Sequence, residues 1–321
     1  YYFMISILFL YLIPGVVLVW ISAGKLEKYS VLVSKNFGLS PFFIGSTVIA
    51  FGTSAPEMLT TLFAAMENKG GMIVGNVVGS NVTNIALVFG LTLLVLSIKG
   101  VSFKSNVSNL NLFLLILSTL VVWGVLSARP FYLISSLTLL ILLFVTILIW
   151  YKSNEEFEEE LVENDKKAIL KLTASIITLI FAAWLITEGA MQILSNFGVG
   201  ELFIGFTVLA IGTSLPEIAA SIALALKGRY ETVAGALIGS NIFNGLFVLA
   251  IPGLLAKEEL MMNTWVYTKW VQLLALLLFI SLIFIIFLKI SKNKQISMPI
   301  NISLCIIFFS TYLYSLVLVF E

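Results

Sequence analysis

Long apolar runs dominate this chain and restrict it to folds that lie within a membrane. A helix needs roughly 20 residues to cross about 30 Å of hydrocarbon. Ten such runs follow one another in the 321 residues, at 3–23, 41–66, 72–98, 108–128, 131–151, 168–195, 202–226, 232–256, 265–288 and 299–319. Only 11% of the residues are charged, compared with roughly 25% in soluble domains. The sequence therefore predicts an all-α membrane protein of ten transmembrane helices, with the lipid bilayer as its surroundings.

The rest of the composition excludes several classes of function. A net charge of +1 gives no basic surface for a nucleic acid. The chain contains no histidine, which excludes His-dependent hydrolysis, His–metal sites and the usual proton switch near neutral pH. Its single cysteine, Cys305, excludes a disulfide or a cysteine-based metal site within one chain. No feature indicates a cofactor or an obligate protein partner.

Two polar motifs occur twice, at the same spacing. The segment "NFGLSPFFIGSTVIAFGTSAPEM" (36–58) aligns without a gap with "NFGVGELFIGFTVLAIGTSLPEI" (196–218), at an offset of 160 residues. At the same offset, "GNVVGSNVTN" (75–84) aligns with "GALIGSNIFN" (235–244). Each half then holds five spans, and because five is odd the second half enters the bilayer from the opposite side. Inverted repeats of this kind are typical of secondary transporters.

This duplication divides the chain into three parts. We expect a first five-helix repeat at 1–151 with its motif at 45–90, and a second at 168–321 with its motif at 205–250. The acidic segment between them, 152–167, has the composition of a solvated linker, although a regulatory cation-binding loop is an alternative. Of the 18 Lys and Arg residues, fourteen fall on one side of the ten-span layout and four on the other. The basic side should be cytoplasmic, which places the linker in the cytoplasm and both termini outside.

The first duplicated motif places a carboxylate and a proline in the middle of an apolar span. A buried charge at this depth costs several kcal/mol unless it is paired or faces a polar cavity, so Glu57 and Glu217 indicate a functional site. Pro56 and Pro216 each remove a helical hydrogen bond and displace the carbonyl four residues earlier. Freed carbonyls within a membrane are tolerated where they line a cavity. The sequence therefore predicts broken helices around a site rich in oxygen.

Further polar side chains share faces with these carboxylates. Residues four apart lie on one face of a helix, and four pairs have this spacing: Thr53 with Glu57, Ser80 with Asn84, Thr213 with Glu217, and Ser240 with Asn244. Oxygen ligands suit a hard cation such as Ca²⁺ or Na⁺. Two carboxylates carry a charge of −2, which one Ca²⁺ or two Na⁺ would neutralise. Because the two loads would compete for one site, the charge balance favours exchange of one for the other.

The motifs "GTSAPE…GNVVGSNVTN" and "GTSLPE…GALIGSNIFN" resemble the two alpha-repeats of the cation/calcium exchanger superfamily, and most closely those of prokaryotic sodium/calcium exchangers. The resemblance implies electrogenic exchange of Na⁺ for Ca²⁺ by alternating access, with no cofactor beyond the transported ions. The first and sixth helices would slide across the other eight.

The resemblance also implies a role for each matching residue. Ca²⁺ would be held by Glu57, Glu217 and the main-chain carbonyls of Thr53 and Thr213. The flanking Na⁺ sites would use these four residues, the hydroxyls of Ser54, Ser80, Ser214 and Ser240, and the carbonyls of Ala50 and Ala210. Asn84, Asn244, Pro56 and Pro216 would line the site.

Two positions depart from the pattern of relatives. Some relatives, including the potassium-dependent branch, carry aspartate at the position of Asn244, and an amide there weakens the case for K⁺ transport. Ala236 stands where many relatives have asparagine, whereas the equivalent position of the first repeat keeps its asparagine, Asn76. The hydrogen bonds around the two halves of the site are therefore expected to differ.

Other functions stay open at this point. A Ca²⁺/H⁺ exchanger is the main alternative, although such relatives usually carry a histidine beside the second glutamate. A channel is disfavoured by inverted repeats with broken helices. An intramembrane enzyme using Ser54 or Ser214 as nucleophile would lack a histidine base. Polar contacts that only join helices would leave the duplicated carboxylate and proline unexplained.

Overall fold

The structure is a computed structural model that describes residues 7–66, 70–127, 133–153, 165–196, 210–255, 264–293 and 298–320. These residues are helical apart from short turns and the loop at 99–108, and they contain no strand. The α-helices are α1 (Ile13–Phe37), α2 (Pro41–Thr53, with a π-helical segment Gly45–Ile49), α3 (Ala55–Met66), α4 (Gly70–Thr83), α5 (Phe89–Ile98), α6 (Asn109–Ser127), α7 (Leu133–Lys152), α8 (Ala168–Asn196), α9 (Ala210–Thr213), α10 (Leu215–Leu226), α11 (Tyr230–Phe243), α12 (Ala250–Leu255), α13 (Thr264–Asn293) and α14 (Met298–Phe320). Further π-helical segments precede α1 (Leu8–Leu12), join α4 to α5 (Asn84–Val88) and follow α11 (Asn244–Val248).

The described helices make this a multi-pass membrane protein. Eight of them, counting α4–α5 and α11–α12 as one each, are long and apolar enough to cross a membrane, and the bent pair α2–α3 would make a ninth. The expected span at 202–226 lies partly outside the described residues, where α9 and α10 represent it from residue 210 onward. The ten-span layout therefore stays a prediction, while the all-helical membrane architecture is established.

The first helix is longer than its apolar run. The run at 3–23 predicts the part immersed in hydrocarbon, whereas α1 continues to Phe37. It ends at Gly38, whose positive φ of 60° is readily adopted by glycine at a helix C-terminus. The Gly38 amide donates to the carbonyl of Lys35 at 3.3 Å. Hydropathy locates the lipid-embedded part of a helix but not its end, because a helix can continue as a polar one in water.

The two helices that carry the motif at 75–84 and 235–244, α4 and α11, lie at the centre of the bundle. In the span Tyr230–Leu255, 89% of the most apolar window is buried, compared with 22% in α1. Close packing explains the glycine at position 239, because a Cβ there would collide with the main-chain oxygen of Ser46 in α2. The glycine at 45 likewise lets α2 approach the main chain of Thr232 in α11. The first half is thereby packed directly on the second.

The two helices named as sliding elements in the resemblance, α1 and α8, lie against each other at the edge of the bundle. A Cβ at Gly15 would lie 2.6 Å from Cγ1 of Ile186, so a small residue is needed at this crossing. Many residues of both helices face outward, including the exposed Trp20 and Trp184. This arrangement leaves the pair with fewer inward contacts than the central helices.

Candidate cation site

The first broken helix lies where the first motif places its proline. Helix α2 ends at Thr53, Ser54 adopts a turn conformation (φ −79°, ψ 6°), and α3 begins at Ala55. The two helices differ in direction by 41°. Pro56 accounts for the break, since it offers no amide hydrogen to the preceding turn and its ring displaces the carbonyl four residues back.

The second copy of this motif, at 196–218, repeats this geometry in its described part. Helix α9 ends at Thr213, Ser214 has φ −88° and ψ 2°, and α10 begins at Leu215 with Pro216 in its first turn. Both predicted breaks are thus present. Each break leaves a glutamate in the first turn of the following helix, Glu57 in α3 and Glu217 in α10. A helix N-terminus favours a negative charge, so the backbone stabilises both carboxylates.

The two carboxylates are buried in one site that is built from both halves of the chain. Glu57 has 0% of its surface exposed and Glu217 has 3%, and they lie close enough to interact electrostatically. The Ser54 hydroxyl donates to Oε1 of Glu217 at 3.4 Å, across 163 positions of sequence. Thr53 also lies beside Glu217, and Thr213 lies beside Glu57. Each carboxylate therefore lies beside at least one hydroxyl from the opposite half of the chain.

Many polar atoms of this site are buried without a hydrogen-bond partner among the described residues. They are both carboxylate oxygens of Glu57, Oε2 of Glu217, the hydroxyls of Ser214 and Ser240, and the side-chain oxygens and nitrogens of Asn84 and Asn244. Leaving one buried polar group unpaired costs about 1–3 kcal/mol, and more for a charged group. Ser80 is also buried and lies beside Glu57. A set of oxygens with unused lone pairs is what a hard cation requires.

The two asparagines occupy matching irregularities in their helices. Asn84 begins the π-helical segment Asn84–Val88, and Asn244 begins Asn244–Val248. Both side chains are fully buried. Single π turns within α-helices are often found at functional sites. The motif spacing predicts that these residues line the site, whereas nothing in the sequence analysis predicts the π turns.

The main-chain oxygens of Ala50 and Ala210 are both expected to bind Na⁺, and the structure describes the surroundings of Ala50 in more detail. The Ala50 carbonyl accepts the Ser54 amide at 3.1 Å. The single hydrogen of the Thr53 hydroxyl is closer to the carbonyl of Ile49, at 3.1 Å, than to that of Ala50, at 3.4 Å, so one lone pair of the Ala50 carbonyl is left for a cation. Ala210 begins α9, and its side chain lies outside the described set. Ala50 is completely buried. The placement of both residues at the start of the last turn before a break matches the motif alignment.

The surroundings of the two glutamates are unequal, as the substitution at position 236 leads one to expect. In the first half, the Asn76 amide donates to the main-chain oxygen of Glu57 at 3.1 Å and to the hydroxyl of Thr61 at 2.9 Å. Ala236 has no side-chain donor to do the same in the second half. The main chain of Ala236 packs closely on α2, since a Cβ at Gly45 would lie 2.9 Å from the Ala236 nitrogen. Strict symmetry between the repeats would predict this pair of hydrogen bonds in both halves, but only the first half has the asparagine that makes them.

In the part of the chain that the structure describes, two acidic residues, Glu57 and Glu217, contribute to this site. Within the described ranges, no group of three or more His, Cys, Asp or Glu side chains converges. Most of the acidic linker, residues 154–164, for which a solvated or regulatory role is expected, lies outside the described residues. The site combines two carboxylates with neutral oxygen groups. This is a multi-pass helical membrane protein with a buried, oxygen-rich centre that contains two carboxyl groups.

Comparisons with known proteins agree with this class. The family model described as sodium/calcium exchanger protein matches residues 7–152 and 167–321. The inner membrane protein YrbG of Escherichia coli is 32% identical over 263 residues, which cover 78% of this chain and 80% of YrbG. The sodium/calcium exchanger MaX1 of Methanosarcina acetivorans is 28% identical, over 87% of this chain and 92% of MaX1.

A structure of the sodium-calcium exchanger NCX_Mj soaked with 10 mM Na⁺ and without Ca²⁺ superimposes with a TM-score of 0.77 at 28% identity, covering 98% of this chain and 99% of the other. The chain belongs to the sodium/calcium exchanger family, which is a family of membrane transporters. The resemblance inferred from the two motifs is thereby confirmed.

Proposed function

We propose that the chain is a secondary antiporter that exchanges Na⁺ for Ca²⁺ at a single central site. The observation that carries this proposal is the pair of buried glutamates from opposite halves, three of whose four carboxylate oxygens have no hydrogen-bond partner among the described residues. The choice of Na⁺ and Ca²⁺ as the exchanged ions rests on relatives named as sodium/calcium exchangers, MaX1 and NCX_Mj. Ca²⁺ and Na⁺ are the substrates, and no resident cofactor is required.

In this proposal each site residue has a definite role. Glu57 and Glu217 bind Ca²⁺ together with the carbonyls of Thr53 and Thr213. Na⁺ ions bind on either side of the centre, one between Ser54 and Ser240 and another between Ser80 and Ser214, with the carbonyls of Ala50 and Ala210 completing the flanking positions. Asn84 and Asn244 line the middle. The bond between Ser54 and Glu217 supports the pairing of groups from both motifs.

Charge balance provides the coupling. A centre with a charge of −2 is neutral with one Ca²⁺ or two Na⁺, and moving an uncompensated charge through hydrocarbon is costly. The loaded forms can therefore reorient, whereas the empty site cannot. A further Na⁺ at a flanking position leaves the Na⁺-loaded form with a charge of +1, which is smaller in magnitude than the −2 of the empty site. The exchange is then electrogenic, because more positive charge moves as Na⁺ than as Ca²⁺.

The proposed architecture is two inverted five-helix repeats, 1–151 and 168–321, joined by a cytoplasmic acidic linker at 152–167. Both termini face the outside. One contact between equivalent positions supports a pseudo-two-fold relation: the Asn81 amide donates to the main-chain oxygen of Asn241 at 3.1 Å, and these residues are 160 positions apart. The position of α1 and α8 at the edge of the bundle suits them to move relative to the central helices.

The test is Ca²⁺ uptake into vesicles that contain the purified protein, with Na⁺, H⁺ and K⁺ gradients imposed separately. We expect an outward Na⁺ gradient alone to drive uptake, and an inside-negative potential set with an ionophore to oppose it. Uptake driven by a pH gradient but not by Na⁺ would establish the Ca²⁺/H⁺ alternative instead. An absolute requirement for K⁺ would show that Asn244 does not exclude potassium coupling.

A further inference from the structure

Two asparagines meet at the contact between the two halves, next to the cation site but not part of it. Asn81 of α4 and Asn241 of α11 occupy equivalent positions of the two motifs and are 6% and 3% exposed. Asn81 donates across the contact to the main-chain oxygen of Asn241, while Asn241 donates to Leu237 of its own helix at 2.8 Å. The side-chain oxygens of both asparagines have no partner among the described residues.

A small cavity lies between these two side chains. Its volume is about 10 Å³, which is the space that a single water molecule needs. Ser118 and Thr119 of α6 also line it, but both hydroxyls donate to the carbonyl of Leu115, at 2.8 and 3.1 Å. They therefore cannot serve the two amide oxygens as donors. The remaining lining groups are apolar, apart from the backbone.

We propose that Asn81 and Asn241 bind one water molecule, which donates a hydrogen bond to the side-chain oxygen of each. A water has two hydrogens to give, and the cavity presents two unsatisfied acceptors. It can accept in turn from the second hydrogen of an amide group, which brings it to the two to four polar partners that buried waters have. The water thus joins the two halves of the chain through equivalent residues.

A bound cation is a poorer match to the same cavity. No acidic side chain lines it, so the charge would be uncompensated within the membrane. The amide groups also present hydrogens as well as oxygens, and these repel a cation. The cavity is therefore chemically distinct from the centre that contains Glu57 and Glu217, and the water is expected whichever ions the protein exchanges.

The position of this water gives it a structural consequence for the cation site. Asn81 directly follows Ser80, and Asn241 directly follows Ser240. Linking the two asparagines fixes the separation of α4 and α11 at the level of these serines. The uncharged water thus links the two asparagine side chains beside the cation site, where the protein itself supplies a hydrogen bond from the Asn81 side chain to the Asn241 main chain.

The test is a crystal structure of the full chain at a resolution that shows ordered waters, together with a soak in Rb⁺ and anomalous data. We expect one density peak within about 2.6–3.1 Å of both amide oxygens, a hydrogen-bond distance, and no anomalous signal there. An empty cavity, or a peak that scatters anomalously after the soak, would overturn the proposal.

Two variants sharpen the result. Asn241→Leu removes one acceptor and fills the cavity, and we expect the peak to disappear. Ser118→Ala is the matched control, because its hydroxyl is already used by its own helix, and the peak should persist. A peak retained in Asn241→Leu would contradict a water held by the pair. If that variant does not fold, the wild-type structure alone still decides.

Discussion

Replacing Glu217 by glutamine separates the charge of the site from its shape. Glutamine has nearly the same size and retains an oxygen that can accept the hydrogen bond from Ser54, which is 3.4 Å long in the wild type. The change therefore removes one negative charge from a group that is 3% exposed and leaves its packing in place. Any loss of transport then reports on the charge and not on a cavity.

The size of the effect follows from burial. At an effective dielectric constant of about 20, two unit charges 4 Å apart interact by about 4 kcal/mol. Removing one partner of a buried charge pair costs about 3–5 kcal/mol in proteins. Because each 1.4 kcal/mol is a factor of ten, Ca²⁺ binding should weaken by about two to four orders of magnitude. Na⁺-driven uptake of Ca²⁺ at micromolar concentrations should then fall below detection.

Protein stability should change in the opposite direction. Without bound cations, the carboxylates of Glu57 and Glu217 repel each other in a buried site. Glu217→Gln should therefore unfold at the same or a higher temperature than the wild type when both are measured free of Ca²⁺ and Na⁺. Added Ca²⁺ should raise the melting temperature of the wild type and leave the variant unchanged, because only a ligand that binds the folded state stabilises it.

A matched control is Glu188→Gln. Glu188 also lies in a predicted span, but it is partly exposed and accepts a hydrogen bond from Gln192 at 2.8 Å. We expect its exchange activity to remain close to that of the wild type. Near-normal exchange in Glu217→Gln, with a Ca²⁺-induced rise in melting temperature, would refute the assignment of this carboxylate to the cation site.

Three further changes test the surroundings of the site and the ends of the helices. Asn76→Ala removes two hydrogen bonds worth about 1 kcal/mol each, and we expect a higher Ca²⁺ concentration for half-maximal uptake; an unchanged value would show that this amide does not position the first glutamate. Glu27→Gln breaks the ion pair with Arg229, at 3.5 Å and partly exposed, and a double-mutant cycle on melting should give a coupling of about 1 kcal/mol or less. Hydrogen bonds from the Lys171 side chain and from the main-chain amide of Lys167 lower the pKa of Asp165. The stability gained over Asp165→Asn should therefore be present at neutral pH and lost as the pH falls below the ordinary value of 3.8; a difference that persists in strong acid would contradict this.

The breaks in the helices could be predicted because few alternatives exist for their residues. A proline and a glutamate inside an apolar span must leave the regular helix and face a polar space. The structure has this break at Ser54 and again at Ser214. The burial of both glutamates follows from the same argument, since a carboxylate facing lipid would be far more costly.

Contacts made across the bundle were harder to predict. The donation from Asn76 to the Glu57 carbonyl depends on how α3 and α4 cross, which periodicity does not specify. The π turns at Asn84 and Asn244 depart from the regular hydrogen-bond pattern of a helix, and the motif spacing does not specify such a departure. The end of α1 at Phe37 was missed because apolar runs measure contact with lipid and not helix length.

By itself, the sequence determined that the chain lies in a membrane, that it is built from two related halves, and where each half must interrupt its helices. These properties follow from local composition, spacing and the chemistry of single residues. Only the tertiary structure decided that Ser54 of one half reaches Glu217 of the other and that Asn81 meets Asn241. Such pairings depend on how helices approach through space, and side-chain shape along the whole bundle sets that approach.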